Sequence, residues 1–276
     1  MAYGKVILFG EHSVVYGKNA IALPLKSIKV EANINFKYIF ESEYIRFIKN
    51  NIIKKCDIKD EIYIKINSSI PSSRGLGSST ALAVAIADAF KKKYNISDEI
   101  LENIIFESDK FAHGNPSGID MAVIMNNKKV LFNKKEGIRD IAFKLNAKLV
   151  IADSGIKGNT KDAVSMIAKN YTEMRKYIEN LGNITDRAII ALKNSDLKLL
   201  GDLMNLSQNN LKLMKLSNDV IDNLINVAKE NSLGAKITGA GLGGCIISLV
   251  ENEKKAIELK ELLIKEGAEN VWLEDI

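Results

Sequence analysis

The chain has 276 residues, enough for one large core or two moderate ones, because single cores stop growing at roughly 250 to 300 residues. With 46% hydrophobic and 26% charged residues and only three prolines, it reads as a globular protein without long disordered linkers. The net charge of +5 is scattered, with no dense basic block carrying interleaved aromatics, which speaks against a nucleic-acid partner. No apolar run approaches the roughly 18 residues of a membrane span, and residue 1 is not followed by a basic and then apolar leader. Cys56 and Cys245 lie far apart outside any Cys-x-x-Cys pair, so a reducing, cytoplasmic setting without membrane contact is expected.

Residues 5–10, Lys-Val-Ile-Leu-Phe-Gly, form a short apolar run stopped by glycine, as in a buried strand. Glu11 and His12 follow at once, either as a solvated turn or as an ionisable pair at a site. Residues 21–25 and 28–36 alternate apolar and polar positions like half-exposed strands. Residues 43–56 have helical spacing with a lysine-rich, solvated opposite face, and Ile62, Ile64 and Ile66 alternate as a strand.

That strand delivers the chain to Pro71-Ser72-Ser73-Arg74-Gly75-Leu76-Gly77-Ser78-Ser79-Thr80-Ala81, which runs into a strongly helical stretch at 82–90 continuing to about Tyr94. A glycine and serine-rich loop at a helix start suits an anion, because the first helical amides lack partners and the macrodipole adds positive charge. Ser78, Ser79 and Thr80 offer an N-cap and hydroxyls for phosphate or metal; Arg74 is expected in solvent. The loop is neither a Walker A nor a dinucleotide motif, and an ordinary capped, buried helix explains it equally.

Ser97 caps a helix to about His113, on which Glu107 and Asp109 face different directions. Asn115-Pro116-Ser117-Gly118-Ile119-Asp120 breaks it, and Asp120 stands before the apolar run 121–125 as a cap or a functional carboxylate. Strands are expected at 129–132 and 148–153. From about 161 to 231 the pattern is helical, broken near Gly182, Asn194-Ser195 and Leu216-Ser217, with Met204 and Met214 as core. Two strands joined by Gly239-Ala240-Gly241-Leu242-Gly243-Gly244 follow; this Gly-x-Gly-x-x-Gly string precedes a β-branched run, so the Rossmann reading fails on context. A helix at 254–266 and a strand near 271–273 complete an α+β pattern.

Three motifs together, residues 4–17 with Gly10-Glu11-His12-Ser13-Val14-Val15-Tyr16-Gly17, the loop at 71–81, and residues 238–244, resemble the GHMP kinase superfamily along the whole chain. With Asn115 to Asp120 and with Asp153-Ser154-Gly155 and Asn159-Thr160-Lys161, the sequence is most similar to the mevalonate kinases. The resemblance implies an N-terminal ribosomal-S5-like lobe at 1–145 and a ferredoxin-like lobe with extra helices at 146–276. It implies ATP-dependent phosphorylation of mevalonate, with ATP and Mg²⁺ as cofactors and residues 71–81 on the ATP phosphates.

By the same resemblance Asp120 takes or orients the substrate hydroxyl proton, Lys5 lies beside it, and Ser79 ligates Mg²⁺. The family's second ligand is a glutamate; here its position is Asp109, one methylene shorter, preferred over Glu107. Glu11, His12 and Thr160 match substrate-side positions, with neutral His12 as a hydrogen-bond donor. The alternatives are a phosphomevalonate or sugar kinase of the same superfamily, or a non-catalytic nucleotide-binding regulator. A homodimer is compatible with the sequence but not specified by it.

Overall fold

The computed structural model describes residues 1–114 and 116–276; Asn115 of the Asn-Pro-Ser-Gly-Ile-Asp motif lies outside the described residues. The fold is α+β, and the chain forms two compact units that exchange the backbone several times. The first comprises Met1–Lys5, Pro24–Ser72 and Gly77–Lys128; the second comprises Val6–Leu23, Ser73–Leu76 and Lys129–Ile276. Strands β1 (Ala2–Phe9) and β2 (Ala20–Asn35) are each divided between them.

In the first unit β2 pairs antiparallel with β3 (Tyr63–Ser68), with Ile34 opposite Ile64 and Val30 opposite Ser68. Residues 21–25 and 28–36, expected as two strands, are one, and Pro24 lies between the stretch paired with β4 and the stretch paired with β3. Among the described residues, four helices complete the unit: α1 (Glu43–Lys55), α2 (Ser78–Tyr94), α3 (Asp98–His113) and α4 (Ile119–Asn126). Helix α2 is central, packed by α1, α3 and α4, and its small residues Ala81, Ala83, Ala85 and Ala87 with Ile86 and Phe90 are buried around most of its circumference. The apolar run 121–125 is the body of α4. The lysine face of α1 is not wholly solvated either. Lys49 is buried, donating to Glu41 at 2.6 Å and to the Ile62 carbonyl at 2.8 Å, while Glu41 accepts from the Ile64 amide.

In the second unit β4 (Val130–Asn133) pairs with the start of β2, Ala20 opposite Phe132, and with β5 (Gly137–Asp140), a short strand the sequence pattern did not mark. A second, fully antiparallel sheet has the order β7 (Gly234–Thr238), β8 (Cys245–Val250), β6 (Lys148–Asp153), β9 (Asn270–Asp275). Helices α5 (Thr160–Lys169), α6 (Tyr171–Lys193), α7 (Leu197–Leu213), α8 (Asp219–Glu230) and α9 (Glu253–Lys265) belong to this unit. Their apolar faces share a core with the sheet, in which Leu224, Ile237, Ile246 and Leu259 are fully buried. Met204 and Met214 are both buried completely, as core packing requires.

The break expected at Gly182 does not occur, and α6 runs straight through it. The Lys18 side chain lies across that glycine, where a β-carbon would sit 2.9 Å from Lys18 Cγ, so glycine serves packing there. The break falls instead at Asn170, whose amide side chain back-bonds to the Met166 carbonyl.

Candidate active site

In the first unit, α2 begins four residues earlier than its apolar pattern indicated. Gly77 is its N-cap in the left-handed region, so Ser78, Ser79 and Thr80 lie inside the first turn rather than capping it. A side chain at Gly77 is excluded twice over: its φ is 74°, and a β-carbon would meet Ile124 Cδ1 at 2.8 Å and Lys5 Cγ at 2.9 Å. Glycine therefore lets the Lys5 chain cross the start of α2. Lys5 is 3% exposed, and its Nζ is 2.8 Å from Oδ1 of Asp120 in the first turn of α4, where helix polarity favours a carboxylate. The two expected catalytic residues are thus in contact.

The freed serine and threonine hydroxyls turn to α3. Thr80 Oγ1 donates to Asp109 Oδ1 at 2.7 Å, and Ser79 Oγ is 2.7 Å from His113 Nε2, which is itself 3.8 Å from Asp109. Burial raises the Asp109 carboxyl above its usual range; the Thr80 bond opposes this, and Asp120 adds to it. A cation would relieve both causes. Glu107 faces away, half exposed beside Lys110.

Among the described residues no cluster of three or more His, Cys, Asp and Glu side chains could hold a metal by itself. One carboxylate and one hydroxyl oxygen suit Mg²⁺, which commonly takes few protein oxygens and completes its shell with water and phosphate oxygens. The residues present fit that ion. His113 was not singled out in the sequence; its signal is the four-residue spacing from Asp109, which puts both on one face of α3.

In the second unit, Glu11 and His12 are both buried, 1% and 7% exposed, so the solvated-turn reading does not hold. Lys236 Nζ, on β7 and wholly buried, donates to Glu11 Oε1 and to the Ile237 carbonyl. Burial pulls the lysine below its usual range, and Glu11 draws it back. Sequence reading passed over Lys236, although a lone lysine between apolar strand residues needs a partner.

His12 has a left-handed backbone, φ 60°, and its Nε2 is 2.9 Å from the Ala240 carbonyl. Facing a carbonyl, Nε2 must carry the proton, so the neutral ring presents Nδ1 as an acceptor. The donor role expected for His12 is therefore spent inside the protein. Burial lowers its pKa to about 4 from 6.5. The unfolded chain then binds the proton more tightly, so stability is complete above pH 6.5 and falls as pH drops toward 4, by about 3 kcal/mol. Urea unfolding between pH 7.5 and 4.5 should show that slope, and His12→Gln should flatten it. Thr160, the first residue of α5, is exposed behind its N-cap Asn159, which accepts from the Asp162 amide.

The third glycine motif packs on residues 74 and 75 of the loop. Gly244 lies so close that a β-carbon would be 2.7 Å from the Arg74 carbonyl oxygen. Arg74 itself is 8% exposed, contrary to the solvent expectation. Its guanidinium is turned onto Asp153 and Glu269.

Residues 43–128 match the GHMP kinases N terminal domain, and residues 188–269 the GHMP kinases C terminal domain. The mevalonate kinase of Pyrococcus furiosus is 32% identical, covering 93% of this chain and 90% of that protein. Among solved structures, the mevalonate kinase of Methanococcus jannaschii superposes with a TM-score of 0.82 at 27% identity, covering 100% of this chain and 97% of that one. The L. major mevalonate kinase in complex with R-mevalonate gives 0.80 at 25% identity, covering 99% and 94%.

Proposed function

We propose, from the premise that this chain belongs to the GHMP kinase family, that it is an enzyme transferring the γ-phosphate of ATP to the primary alcohol of mevalonate. The observation that carries this reading is the contact of buried Lys5 with Asp120 at 2.8 Å, beside a helix start that glycine keeps open. Phosphoryl transfer asks a protein for position and charge more than for covalent chemistry, since the transition state is loosely bonded and its charge lies on the transferred group.

Asp120 accepts or orients the proton of the attacking hydroxyl. Lys5 stabilises the negative charge that develops on the attacking oxygen and on the phosphoryl group. The unpartnered amides at the start of α2, within the loop 71–81, receive ATP phosphate oxygens. Ser79 and Asp109 would hold Mg²⁺, which would supply neutralisation of phosphate charge. Within the second unit, neutral His12 can accept a hydrogen bond from a substrate hydroxyl at Nδ1, Glu11 is fixed beside it by Lys236, and Thr160 offers an exposed hydroxyl.

A coupled ADP-release assay over mevalonate, phosphomevalonate, galactose and homoserine tests the assignment. Mevalonate should be strongly preferred. Preference for another alcohol overturns the substrate, and ATP binding without turnover of any alcohol overturns catalysis.

Asp109→Ala should raise the Mg²⁺ concentration for half-maximal rate about tenfold, the loss expected for a charge-assisted contact, and weaken Mn²⁺ binding read by electron paramagnetic resonance. Glu107→Ala should change neither. The reverse pattern would move the ligand to Glu107.

A further inference from the structure

Arg74 stands in the glycine and serine-rich loop, yet its Nε and Nη2 donors are committed to other segments, and Nη1 is buried without a hydrogen-bond partner among the described residues. Arg74 Nε lies 2.7 Å from Asp153 Oδ1 and 2.9 Å from Oδ2, and Nη2 donates to the Gly155 carbonyl at 2.9 Å and to Glu269 Oε2 at 2.8 Å. Asp153 ends β6, is completely buried, and also accepts from the Gly155 amide at 3.0 Å. Three backbone bonds tie the same segments: Gly158 N to the Ser73 carbonyl at 2.8 Å, Ser154 N to the Gly244 carbonyl at 3.0 Å, and Gly244 N to the Ile156 carbonyl at 2.7 Å. Residues 73–76, 153–158 and the 238–244 turn are therefore one hydrogen-bonded knot, into which Arg74 inserts a planar, multidentate side chain.

We propose that Arg74 is a positioning residue for nucleotide binding: its guanidinium pins residues 73–76 onto the Asp153-Gly155 turn and Glu269, and so holds the backbone of the phosphate loop in its binding conformation. The inference rests on the reading of residues 71–81 as the ATP loop. The pull on the loop acts through the chain, since Leu76 is covalently followed by Gly77, the N-cap of α2. Lysine could not substitute. A point-charge ammonium cannot bond the Asp153 carboxylate, the Gly155 carbonyl and Glu269 in the fork geometry that a guanidinium supplies.

Because Arg74→Met alone leaves Asp153 buried without its counter-charge, that variant confounds folding with function. The informative protein is the double variant Arg74→Met/Asp153→Asn, which removes both charges and keeps an acceptor for the Gly155 amide. Its melting temperature should recover most of what Arg74→Met loses. Its Kd for AMPPNP with Mg²⁺, and its KM for ATP, should stay about tenfold above the parent while kcat falls less than about threefold.

A Kd within twofold of the parent in the recovered double variant would reduce Arg74 to a neutraliser of Asp153 and overturn the proposal. If that variant does not fold, Glu269→Ala removes only the half-exposed partner. Its AMPPNP Kd should weaken about threefold at an unchanged melting temperature, and an unchanged Kd also overturns the proposal. Parent protein that binds AMPPNP but turns over no alcohol would sink the kinase assignment and leave this comparison of affinities intact.

Discussion

Asp120→Asn should lower kcat about a thousandfold while leaving the ATP dissociation constant within about threefold of the parent, the loss expected when a positioned proton acceptor is neutralised. Asparagine keeps the shape of the side chain and can still accept from Lys5 Nζ, so the 2.8 Å contact survives in neutral form. What disappears is the charge that balances the ammonium and that, in the proposed mechanism, draws the alcohol proton. Single-turnover kinetics with saturating ATP separates this from a binding defect. Near-normal turnover would remove Asp120 from the chemistry. Lys5→Met should lose rate comparably but also weaken nucleotide binding, because the buried lysine crosses the start of α2, where the proposed mechanism places the phosphates.

Lys236→Met should destabilise the protein by about 3 to 5 kcal/mol, because it strands the Glu11 carboxylate in a site that is 1% exposed. At roughly 2 to 4 °C per kcal/mol for a chain of this class, the melting temperature should drop on the order of 10 °C. The double variant Lys236→Met/Glu11→Gln should recover at least half of that loss, since removing a buried ion pair entirely costs far less than breaking it. A double variant no more stable than the single would show that the two charges are not coupled. The pair has a functional side too. Glu11 leads directly into His12, whose left-handed backbone is held by the Ala240 contact, so a relaxed Glu11 frees a strained residue. The mevalonate KM should therefore rise in both variants even where stability returns.

How much of this was legible follows from the range of the forces involved. The helical periodicity of α1 and α3 and the apolar strand β6 are local signals and stand where the pattern put them, whereas β1 begins three residues earlier than its apolar run and the end of the glycine loop is already helix. Helix α2 started early because sequence preferences at a glycine and serine-rich helix start are ambiguous between cap and first turn, and Gly77 can take the left-handed φ that settles it. Gly182 misled because glycine is read by its conformational freedom, whereas here it is used for its lack of a side chain beneath Lys18.

Composition, periodicity and motif order by themselves determined the α+β class and the family resemblance, and it is the resemblance that implies Lys5, Asp120, Ser79 and Asp109 as the residues expected to carry the chemistry. Only the tertiary structure decided which buried polar groups are partnered and by whom: Arg74 by Asp153 and Glu269, Glu11 by Lys236, and the Nε2–H of neutral His12 by a backbone carbonyl. The physical reason is burial. A charge in water needs no particular partner and leaves no mark in the pattern. One removed from water must find a partner wherever the fold supplies it, and Glu11 finds Lys236 225 residues away.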